Sequence, residues 1–350
     1  MPSSTQHFPS TMKAIQQHAF GGPEVLTYEE APVPALAAGE VLVRVHAVGV
    51  NPPDWYLREG YKMLPPQWQP QLSFPLILGT DISGVVVEVA DDVKDVVAGD
   101  EVYAMVRFPS GLAGGSRAYA QYVNVAVSEL ARKPGRLDHV QAAAAPMSLL
   151  TAWQFLMEQD PDGPNPLQDF PHRPIALAGK TVLVNGAAGG VGHLALQLAK
   201  WQGARVIAVG SGRHESFLRE LGADEFIDYT KTATEQVVRG IDLVVDAVGG
   251  PDTARFLPVL KRGGALFPIF PLGFDARAQA QQLGVTVSTT QVRSNGAHLA
   301  RLAALLDDGI IKVSIDSTYP LHAAQQAHER AATGHLRGKI VLTVAHEGTA

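Results

Sequence analysis

A glycine-rich turn at residues 186–192 limits the folds open to this chain more than any other segment. It reads GAAGGVG, and it lies between an apolar run at residues 181–185, which predicts a buried strand, and a helical stretch at residues 190–202. Glycines alone often only make a turn. In this setting, however, they let the backbone approach a pyrophosphate beside the unpaired N–H groups of a helix N-terminus. We therefore predict a dinucleotide site whose contacts are Gly186, Ala188, Gly189, Gly190 and Val191.

The parts of the chain before and after residue 140 differ in pattern. From residue 13 to about residue 127, short β-type runs alternate with glycine and proline, which is typical of a mostly-β unit; a short helix is predicted at residues 53–58. Residues 140–156 are alanine-rich and helical in pattern, and strands then alternate with helices, one of them at residues 214–221, which indicates parallel βαβ units in a doubly wound sheet. Two helices and a strand at residues 339–344 follow. The predicted division is 1–147, 148–290 and 291–350, with the last segment returning to the first unit.

Composition restricts the partners that the chain is expected to have. Charged residues make up 18% of its 350 residues and the net charge is −6, with no basic run, so we expect no nucleic-acid surface. No apolar run reaches the ~18–20 residues that span a bilayer, and residues 1–11 lack the apolar core of a signal peptide. We expect a cytoplasmic protein without a membrane partner. The absence of cysteine excludes disulfides and thiolate zinc ligands, although twelve histidines remain.

The end of the second strand after the glycine-rich turn bears on the choice of cofactor. An NAD site usually has an Asp or Glu about twenty residues beyond the turn, where it binds the ribose hydroxyls. Residues 209–214 read VGSGRH here, and the first acid is Glu215. Ser211 and Arg213 can instead receive a 2′-phosphate, which an acid would repel. The alternative for Arg213 is a solvated residue at the start of a helix. The sequence favours NADPH.

Several ordered blocks resemble those of the zinc-independent quinone oxidoreductase subgroup of the medium-chain dehydrogenase/reductase superfamily. Besides the glycine-rich turn, the blocks are VNPPDWYLREG at residues 50–60, LGTDISGV at 78–85, GDEV at 99–102, LTAW at 150–153, LGAD at 221–224, DAVGG at 246–250 and GKIVL at 338–342. The resemblance covers about residues 13–344. It implies an α/β chain with a GroES-like, mostly-β catalytic domain made from both chain ends, a central Rossmann domain, and a nicotinamide cleft between them.

The resemblance also implies roles for single residues. Tyr56 falls where related reductases place a tyrosine beside the nicotinamide, and Asn51 is expected to orient the substrate oxygen or the cofactor carboxamide. The alternatives are packing for Tyr56 and capping of the short helix for Asn51. The further cofactor contacts that it implies are Thr151, Tyr229, Val248 and Phe270.

The zinc-dependent relatives differ from this chain at their metal ligands. They bind catalytic zinc through a Cys in the first block and a His in the second, where this chain has Asn51 and Thr80. The cysteine-rich lobe for a structural zinc is also missing. Because alcohol dehydrogenation needs a Lewis acid or an equivalent to stabilise an alkoxide, we expect no metal site and no zinc alcohol dehydrogenase.

The expected function is NADP(H)-dependent hydride transfer to a quinone or to the C=C bond of an enone or enal. The alternatives are a 2-enoyl thioester reductase and a non-catalytic NADPH-binding structural or regulatory protein. The resemblance implies a homodimer, with residues 284–289 as the pairing edge strand. Two inserts, at residues 61–73 and 160–174, are longer than usual for the group; the first is either part of the substrate pocket or a surface loop.

Overall fold

The computed structural model describes residues 9–109, 117–159, 171–273 and 275–346. Its strands are β1 (Thr11–Gln17), β2 (Thr27–Pro32), β3 (Glu40–Gly49), β4 (Leu76–Ile77), β5 (Asp81–Val89), β6 (Glu101–Met105), β7 (Tyr122–Ala126), β8 (Leu130–Arg132), β9 (Thr181–Asn185), β10 (Arg205–Gly210), β11 (Glu225–Asp228), β12 (Ile241–Asp246), β13 (Leu260–Pro268), β14 (Thr286–Val287), β15 (Ile315–Pro320) and β16 (Lys339–Thr343). Its α-helices are α1 (Pro52–Arg58), α2 (His139–Ala144), α3 (Pro146–Met157), α4 (Gly190–Trp201), α5 (Glu215–Glu220), α6 (Thr234–Val237), α7 (Arg277–Leu283), α8 (Gly296–Asp307) and α9 (Ala324–Ala332).

Six parallel strands form one sheet, in the order β11-β10-β9-β12-β13-β14. Counted from β9 along the chain, this is the order 3-2-1-4-5-6 of a dinucleotide-binding Rossmann sheet. Its central strands are covered on both faces: Val182, Leu183 and Val184 in β9 are 0% exposed, which explains their unbroken apolar run. The strand order reverses between β9 and β12, so a crevice opens at their carboxyl ends. The predicted Rossmann sheet is confirmed.

The second large sheet has seven strands, which pair mostly antiparallel. Six follow the order β15-β16-β3-β5-β6-β8, and β7 also pairs with β3. A three-stranded sheet, β2-β1-β4, is joined to this unit through the hydrogen bond from the Ile15 N–H to the Tyr119 carbonyl at 2.8 Å. Near the C-terminus, β16 pairs with β3, with Val341 opposite Gly49. The predicted mostly-β GroES-like unit is confirmed.

Two predicted helices differ from those observed. The helix predicted at residues 140–156 is split into α2 and α3 because Pro146 has no N–H to continue the first helix and instead starts the second. The helix predicted from residue 214 begins earlier, with a 3-10 turn at Gly212–His214 that leads into α5. The short helix predicted at residues 53–58 is confirmed as α1.

Some predictions concern segments between these elements. The insert at residues 61–73 contains a 3-10 turn, Pro66–Trp68, and exposes Met63 and Trp68. Most of the second insert, residues 160–170, lies outside the described residues. The domain limit expected after residue 147 falls inside α3, and the limit expected after residue 290 follows β14; both stay predictions. None of the helices in the described ranges has the length and apolar run needed to cross a bilayer.

Candidate active site

The glycine-rich turn lies at the carboxyl end of β9, where the strand order reverses. Gly186 has a positive φ of 69°, and α4 begins at Gly190 with no side-chain cap on its N-terminus. A Cβ at Gly192 would lie 2.2 Å from the Gly186 carbonyl oxygen, so only glycine lets α4 approach the turn this closely. The uncapped N–H groups and the positive end of the helix dipole suit the pyrophosphate of a dinucleotide.

The turn after β12 forms another wall of the same crevice. Asp246 holds this turn, because its Oδ1 accepts hydrogen bonds from Asn185 Nδ2 at 2.8 Å and from the N–H groups of Val248 and Gly249 at 3.1 and 3.0 Å. Val248 is 60% exposed, and a Cβ at Gly186 would lie 2.8 Å from Val248 Cγ2. The structure therefore places the predicted contact Val248 directly beside the glycine-rich turn.

The residues predicted to receive a 2′-phosphate lie at the ends of β10 and β11. Tyr229 comes next to Ser211, because the Tyr229 N–H donates to the Gly210 carbonyl at 3.3 Å; Tyr229 is 44% exposed. Arg213 is exposed, and its Nη2 donates to the His335 carbonyl at 2.7 Å. This bond draws the Arg213 guanidinium towards the loop that precedes β16.

An acid that the sequence argument missed lies at this end of the crevice. A Cβ at Gly212 would lie 2.4 Å from Asp228 Oδ2, while Asp228 Oδ1 accepts hydrogen bonds from the N–H and Oγ1 of Thr230 at 3.0 and 2.6 Å. The Thr230 hydroxyl is the main cause that keeps the pKa of Asp228 below its usual value. The rule for an acid in NAD sites concerns the second strand, whereas Asp228 ends the third, β11.

Tyr56 and Phe270 meet between the β-rich unit and the Rossmann unit. Their ring centroids are 5.7 Å apart, with the ring planes inclined by 33°. Tyr56 belongs to α1, and Phe270 follows β13, so a residue predicted for catalysis meets one predicted for cofactor binding. Burial, and then the nearby Glu59, raises the pKa of Tyr56. Its hydroxyl therefore remains protonated and able to donate at neutral pH.

Asn51 is the N-cap residue of α1, but its side-chain amide bonds to other partners. Nδ2 donates to Asp81 Oδ2 at 2.9 Å and to the Gly49 carbonyl at 3.4 Å, while Oδ1 accepts from Lys339 Nζ. An ammonium only donates and a carboxylate only accepts, so these partners fix which end of the amide is oxygen. The bonds hold Asn51 in one orientation; its contact with a substrate or cofactor stays a prediction.

Ionisable groups are buried behind Asn51. Both oxygens of Asp81 accept from the Met147 N–H at 3.0 Å; burial raises the pKa of Asp81 to about 6, against the opposing effect of Lys339. Burial lowers the pKa of Lys339, while Asp81 and then Asp54 raise it. Burial also raises the pKa of Asp54 to about 7. Sequence reasoning gave these residues no charge-bearing role at the site.

A chain of hydrogen bonds, in which the donor of each bond is defined, joins Arg58 to Asp54 within α1. Arg58 only donates, so His328 Nδ1 accepts from Arg58 Nη1 at 2.8 Å, and the proton on His328 Nε2 points to the Tyr119 hydroxyl at 3.0 Å. That hydroxyl donates to Asp54 Oδ2 at 3.0 Å, and the same oxygen accepts from the Asn51 N–H at 2.8 Å. Burial lowers the pKa of His328 to about 3, which agrees with a neutral ring.

Two other positions singled out in the sequence are buried, and the cofactor contact of Thr151 stays a prediction. Thr151 is buried in α3, where its hydroxyl donates to the Met147 carbonyl at 2.6 Å, so this bond lies within its own helix. Thr80, at the position of a zinc ligand in the metal-dependent relatives, is also buried. Over the described ranges, no three His, Asp or Glu side chains are grouped so that they could hold a metal ion.

Comparison with known proteins identifies the family. The family described as "Alcohol dehydrogenase GroES-like domain" matches residues 37–135, and the one described as "Zinc-binding dehydrogenase" matches residues 221–342. The mitochondrial NAD(P)H oxidoreductase RTN4IP1 of Mus musculus is 34% identical over 377 residues, which cover 98% of this chain and 91% of the relative. The chain belongs to the quinone oxidoreductase-like group of the medium-chain dehydrogenase/reductase superfamily.

Other relatives of this quinone oxidoreductase-like chain support the assignment. The chloroplast envelope quinone oxidoreductase homolog of Arabidopsis thaliana is 33% identical, over 95% of this chain and 98% of the relative. The chloroplastic NADPH-dependent alkenal/one oxidoreductase of the same plant is also 33% identical, over 95% of this chain and 80% of the relative. These relatives carry mitochondrial or chloroplastic names, so the cytoplasmic location stays a prediction.

Two solved structures resemble the quinone oxidoreductase-like chain over nearly its whole length. The quinone oxidoreductase of Coxiella burnetii has a TM-score of 0.82 and 33% identity, over 96% of this chain and 100% of that one. The Escherichia coli quinone oxidoreductase in complex with NADPH has a TM-score of 0.77 and 28% identity, over 95% and 99%. The predicted family, the fold class and the oxidoreductase class are confirmed, together with a nicotinamide cofactor; the preference for NADPH stays a prediction.

Proposed function

We propose that the chain transfers hydride from NADPH to a quinone, or to the C=C bond of an enone or enal, without zinc. The observation that carries this proposal is the meeting of Tyr56 with Phe270, at 5.7 Å between ring centroids, next to the turn after β12 that borders the glycine-rich turn: the Phe270 carbonyl accepts from the Gly250 N–H at 3.0 Å. It sets a protonated hydroxyl where the nicotinamide end of a dinucleotide is expected. Relatives named quinone oxidoreductase and NADPH-dependent alkenal/one oxidoreductase support both substrate classes.

The residues present fit the cofactor. The N-terminus of α4 has no side-chain cap, so its unpaired N–H groups can bind a pyrophosphate, and Val248 and Phe270 offer apolar surfaces to the ribose and nicotinamide. NADPH, when bound, supplies the hydride from C4 of its nicotinamide. Tyr56 then donates a hydrogen bond to the acceptor oxygen on which negative charge develops.

The balance of the reaction is simple for both acceptors. In an enone, hydride adds to the β-carbon, the π-electron pair moves towards the carbonyl, and a proton at the α-carbon completes the saturated ketone. In a quinone, one hydride and one proton give the hydroquinone. The protein's part is to orient the acceptor and to stabilise the oxygen, with water as the proton source.

The proposal that no zinc takes part is supported by the groups around Asn51. The ligand positions of the metal-dependent relatives hold Asn51 and Thr80, neither of which is a usual zinc ligand. The Asn51 side-chain oxygen also accepts a hydrogen bond from the Lys339 ammonium. A positive charge at this place disfavours a second cation.

The preference for NADPH over NADH is supported by Ser211, Arg213 and Tyr229, which lie together at the ends of β10 and β11. The Asp228 carboxylate opposes a 2′-phosphate, but Lys231 Nζ, at 3.5 Å from Asp228 Oδ2, partly offsets its charge. We propose that the cationic Arg213 outweighs Asp228, because an arginine can bind a phosphate through two parallel hydrogen bonds.

The proposed homodimer pairs two copies through β14. In the described part of the chain, β14 pairs with β13 on one side and ends the six-stranded sheet on the other. An edge strand with an open side is a natural place for pairing across a twofold axis. Light scattering after size exclusion should give the mass of two chains, and a clean monomer at micromolar concentration contradicts the proposal.

The test of the proposed function is the oxidation of NADPH, followed at 340 nm, with a panel of quinones, enones, enals and 2-enoyl thioesters and with NADH as the comparison. We expect turnover that depends on a quinone or an enone and is faster with NADPH. Turnover confined to thioesters points to the enoyl reductase instead. Tight NADPH binding without turnover on any acceptor supports a non-catalytic binding protein, and failure to bind either nucleotide contradicts the whole assignment.

A further inference from the structure

Lys339 lies against the glycine-rich turn although it comes from the C-terminal segment. A Cβ at Gly190 would lie 3.0 Å from Lys339 Cδ, so the aliphatic stem of the lysine packs on the first residue of α4. The preceding residue, Gly338, donates its N–H to the Ala188 carbonyl at 2.8 Å. Two consecutive residues at the start of β16 therefore contact the turn that is proposed to hold the pyrophosphate.

The other end of the same side chain reaches the start of α1. Lys339 Nζ donates to the Val50 carbonyl at 3.0 Å and to Asn51 Oδ1. The backbone adds a parallel contact, since the Val50 N–H donates to the Ile340 carbonyl at 2.9 Å. Because Asn51 is the N-cap residue of the helix that carries Tyr56, one side chain spans from the cofactor turn to the helix of the substrate side.

The arrangement differs from that of a simple ion pair. The Asn51 amide lies between Lys339 and Asp81 and bonds to each through a different end. A buried ammonium costs free energy unless its donors are satisfied, and a direct bond to the Asp81 carboxylate would satisfy one of them equally well. The ammonium is bonded to the N-terminus of α1 instead.

We infer that Lys339 is a positioning residue for hydride transfer: it sets the position of α1, and so of Tyr56, relative to the glycine-rich turn. This inference rests on the proposed function, because it concerns the geometry of the two reactants that the site is proposed to hold. Lys339 itself contacts Val50, Asn51 and Gly190. Its action passes through Asn51 on one side and through Gly190 on the other, and the rate of hydride transfer depends steeply on such alignment.

The first test compares Lys339→Met, which keeps the stem and removes the ammonium, with Lys312→Met, an exposed lysine of the same C-terminal segment. For Lys339→Met we expect kcat to fall by about tenfold or more, while the Kd for NADPH changes by less than about threefold. The primary isotope effect with NADPH deuterated at nicotinamide C4 should increase, because the hydride step becomes more rate-limiting. Lys312→Met should match the wild type.

Loss of a buried charge also threatens folding, so a second variant removes the partner charge as well. Asp81→Asn combined with Lys339→Met removes the Asp81 carboxylate together with the ammonium, while Asp54 keeps its hydrogen bonds from Tyr119 and from the Asn51 N–H. If Lys339 only balances Asp81, the double variant regains kcat to within about twofold, with the wild-type isotope effect, and the inference is overturned. If Lys339 positions α1, the double variant regains thermal stability but keeps the low kcat and the raised isotope effect.

Hydrogen–deuterium exchange separates failure of this inference from failure of the proposed function. In the wild type, NADPH should slow exchange in residues 50–61 as well as at the turn, and in Lys339→Met only at the turn. This readout needs cofactor binding but no turnover. Equal protection of residues 50–61 in both proteins contradicts the link, whereas protection without any acceptor turnover contradicts the proposed function and leaves the link standing.

Discussion

Replacing Gly192 by alanine tests whether the glycine-rich turn holds the cofactor. The new methyl group would lie 2.2 Å from the Gly186 carbonyl oxygen and 2.8 Å from Ala187 Cα, both of which are backbone atoms that no change of rotamer can move. A relaxed contact between carbon and oxygen needs about 3.3 Å, so the turn and the N-terminus of α4 must separate by roughly 1 Å.

The expected effects on folding and on binding differ in size. Overpacking costs about 1–3 kcal/mol, and the better helix propensity of alanine offsets about 1 kcal/mol of it. The free energy of unfolding should therefore fall by at most about 2 kcal/mol. A hydrogen bond to a charged group contributes about 1.5–3 kcal/mol, so losing one bond to the pyrophosphate raises the Kd for NADPH by roughly 10- to 150-fold.

Calorimetric titration with NADPH measures this effect, and thermal melting followed by circular dichroism shows that the variant is folded. Gly135→Ala is the matched control, because a Cβ there would meet nothing closer than Asp307 Oδ1 at 3.9 Å. The control should bind NADPH like the wild type. A folded Gly192→Ala protein with a Kd within about twofold of the wild type would refute the reasoning, since the pyrophosphate would then lie elsewhere.

Three further predictions concern the two ends of the crevice and the buried acid. Tyr56→Phe should lower kcat by about 10²-fold without changing the Kd for NADPH, because it removes one hydrogen-bond donor to a developing oxyanion. The control is Tyr28→Phe, at an exposed tyrosine of β2. Full activity of Tyr56→Phe would contradict the proposed role of Tyr56 as that donor. Arg213→Glu should raise the KM for NADPH by about tenfold or more and the KM for NADH far less. If steady-state assays show an equal change in KM for the two cofactors, Arg213 does not contact the 2′-phosphate. Asp54, with its pKa raised to about 7, binds more protons in the folded than in the unfolded state. Its contribution to stability is therefore complete below about pH 4 and is lost as the pH rises to about 7. Over this range the free energy of unfolding should fall by up to ~1.4 kcal/mol per pH unit. In urea unfolding between about pH 4 and 7, Asp54→Asn should flatten this decline; an unchanged slope shows that Asp54 is not its cause.

The Rossmann unit could be predicted because its signals are local. Residues 181–202 contain a strand, a glycine turn and a helix in continuous sequence, and burial on both faces of β9 produces the apolar run that marks the strand. The pattern of residues 140–156 predicts one helix, although Pro146, which cannot continue a helix begun before it, is a local signal for the division into α2 and α3. The rule for NAD sites points to the end of the second strand and therefore does not lead to Asp228, which ends the third.

The groups around Asn51 could not be predicted from local pattern. The bond between Lys339 and Asn51 joins residues that are 288 positions apart, and the bond between Arg58 and His328 spans 270 positions. Such contacts exist only once β16 pairs with β3 and α9 brings His328 to Arg58 in α1. The sequence suggested Asn51 as a residue that orients substrate or cofactor, whereas the fold binds both ends of its amide to buried charged groups.

The most direct test of the central claim follows the transferred atom itself. The protein is loaded with NADPH carrying deuterium at nicotinamide C4, mixed with an α,β-unsaturated ketone in a single turnover, and the product is analysed by mass spectrometry and NMR. The account predicts one deuterium at the β-carbon of the saturated ketone, with the carbonyl left intact. Deuterium on the carbinol carbon of an alcohol, or no oxidation of bound NADPH by either an enone or a quinone, would contradict it.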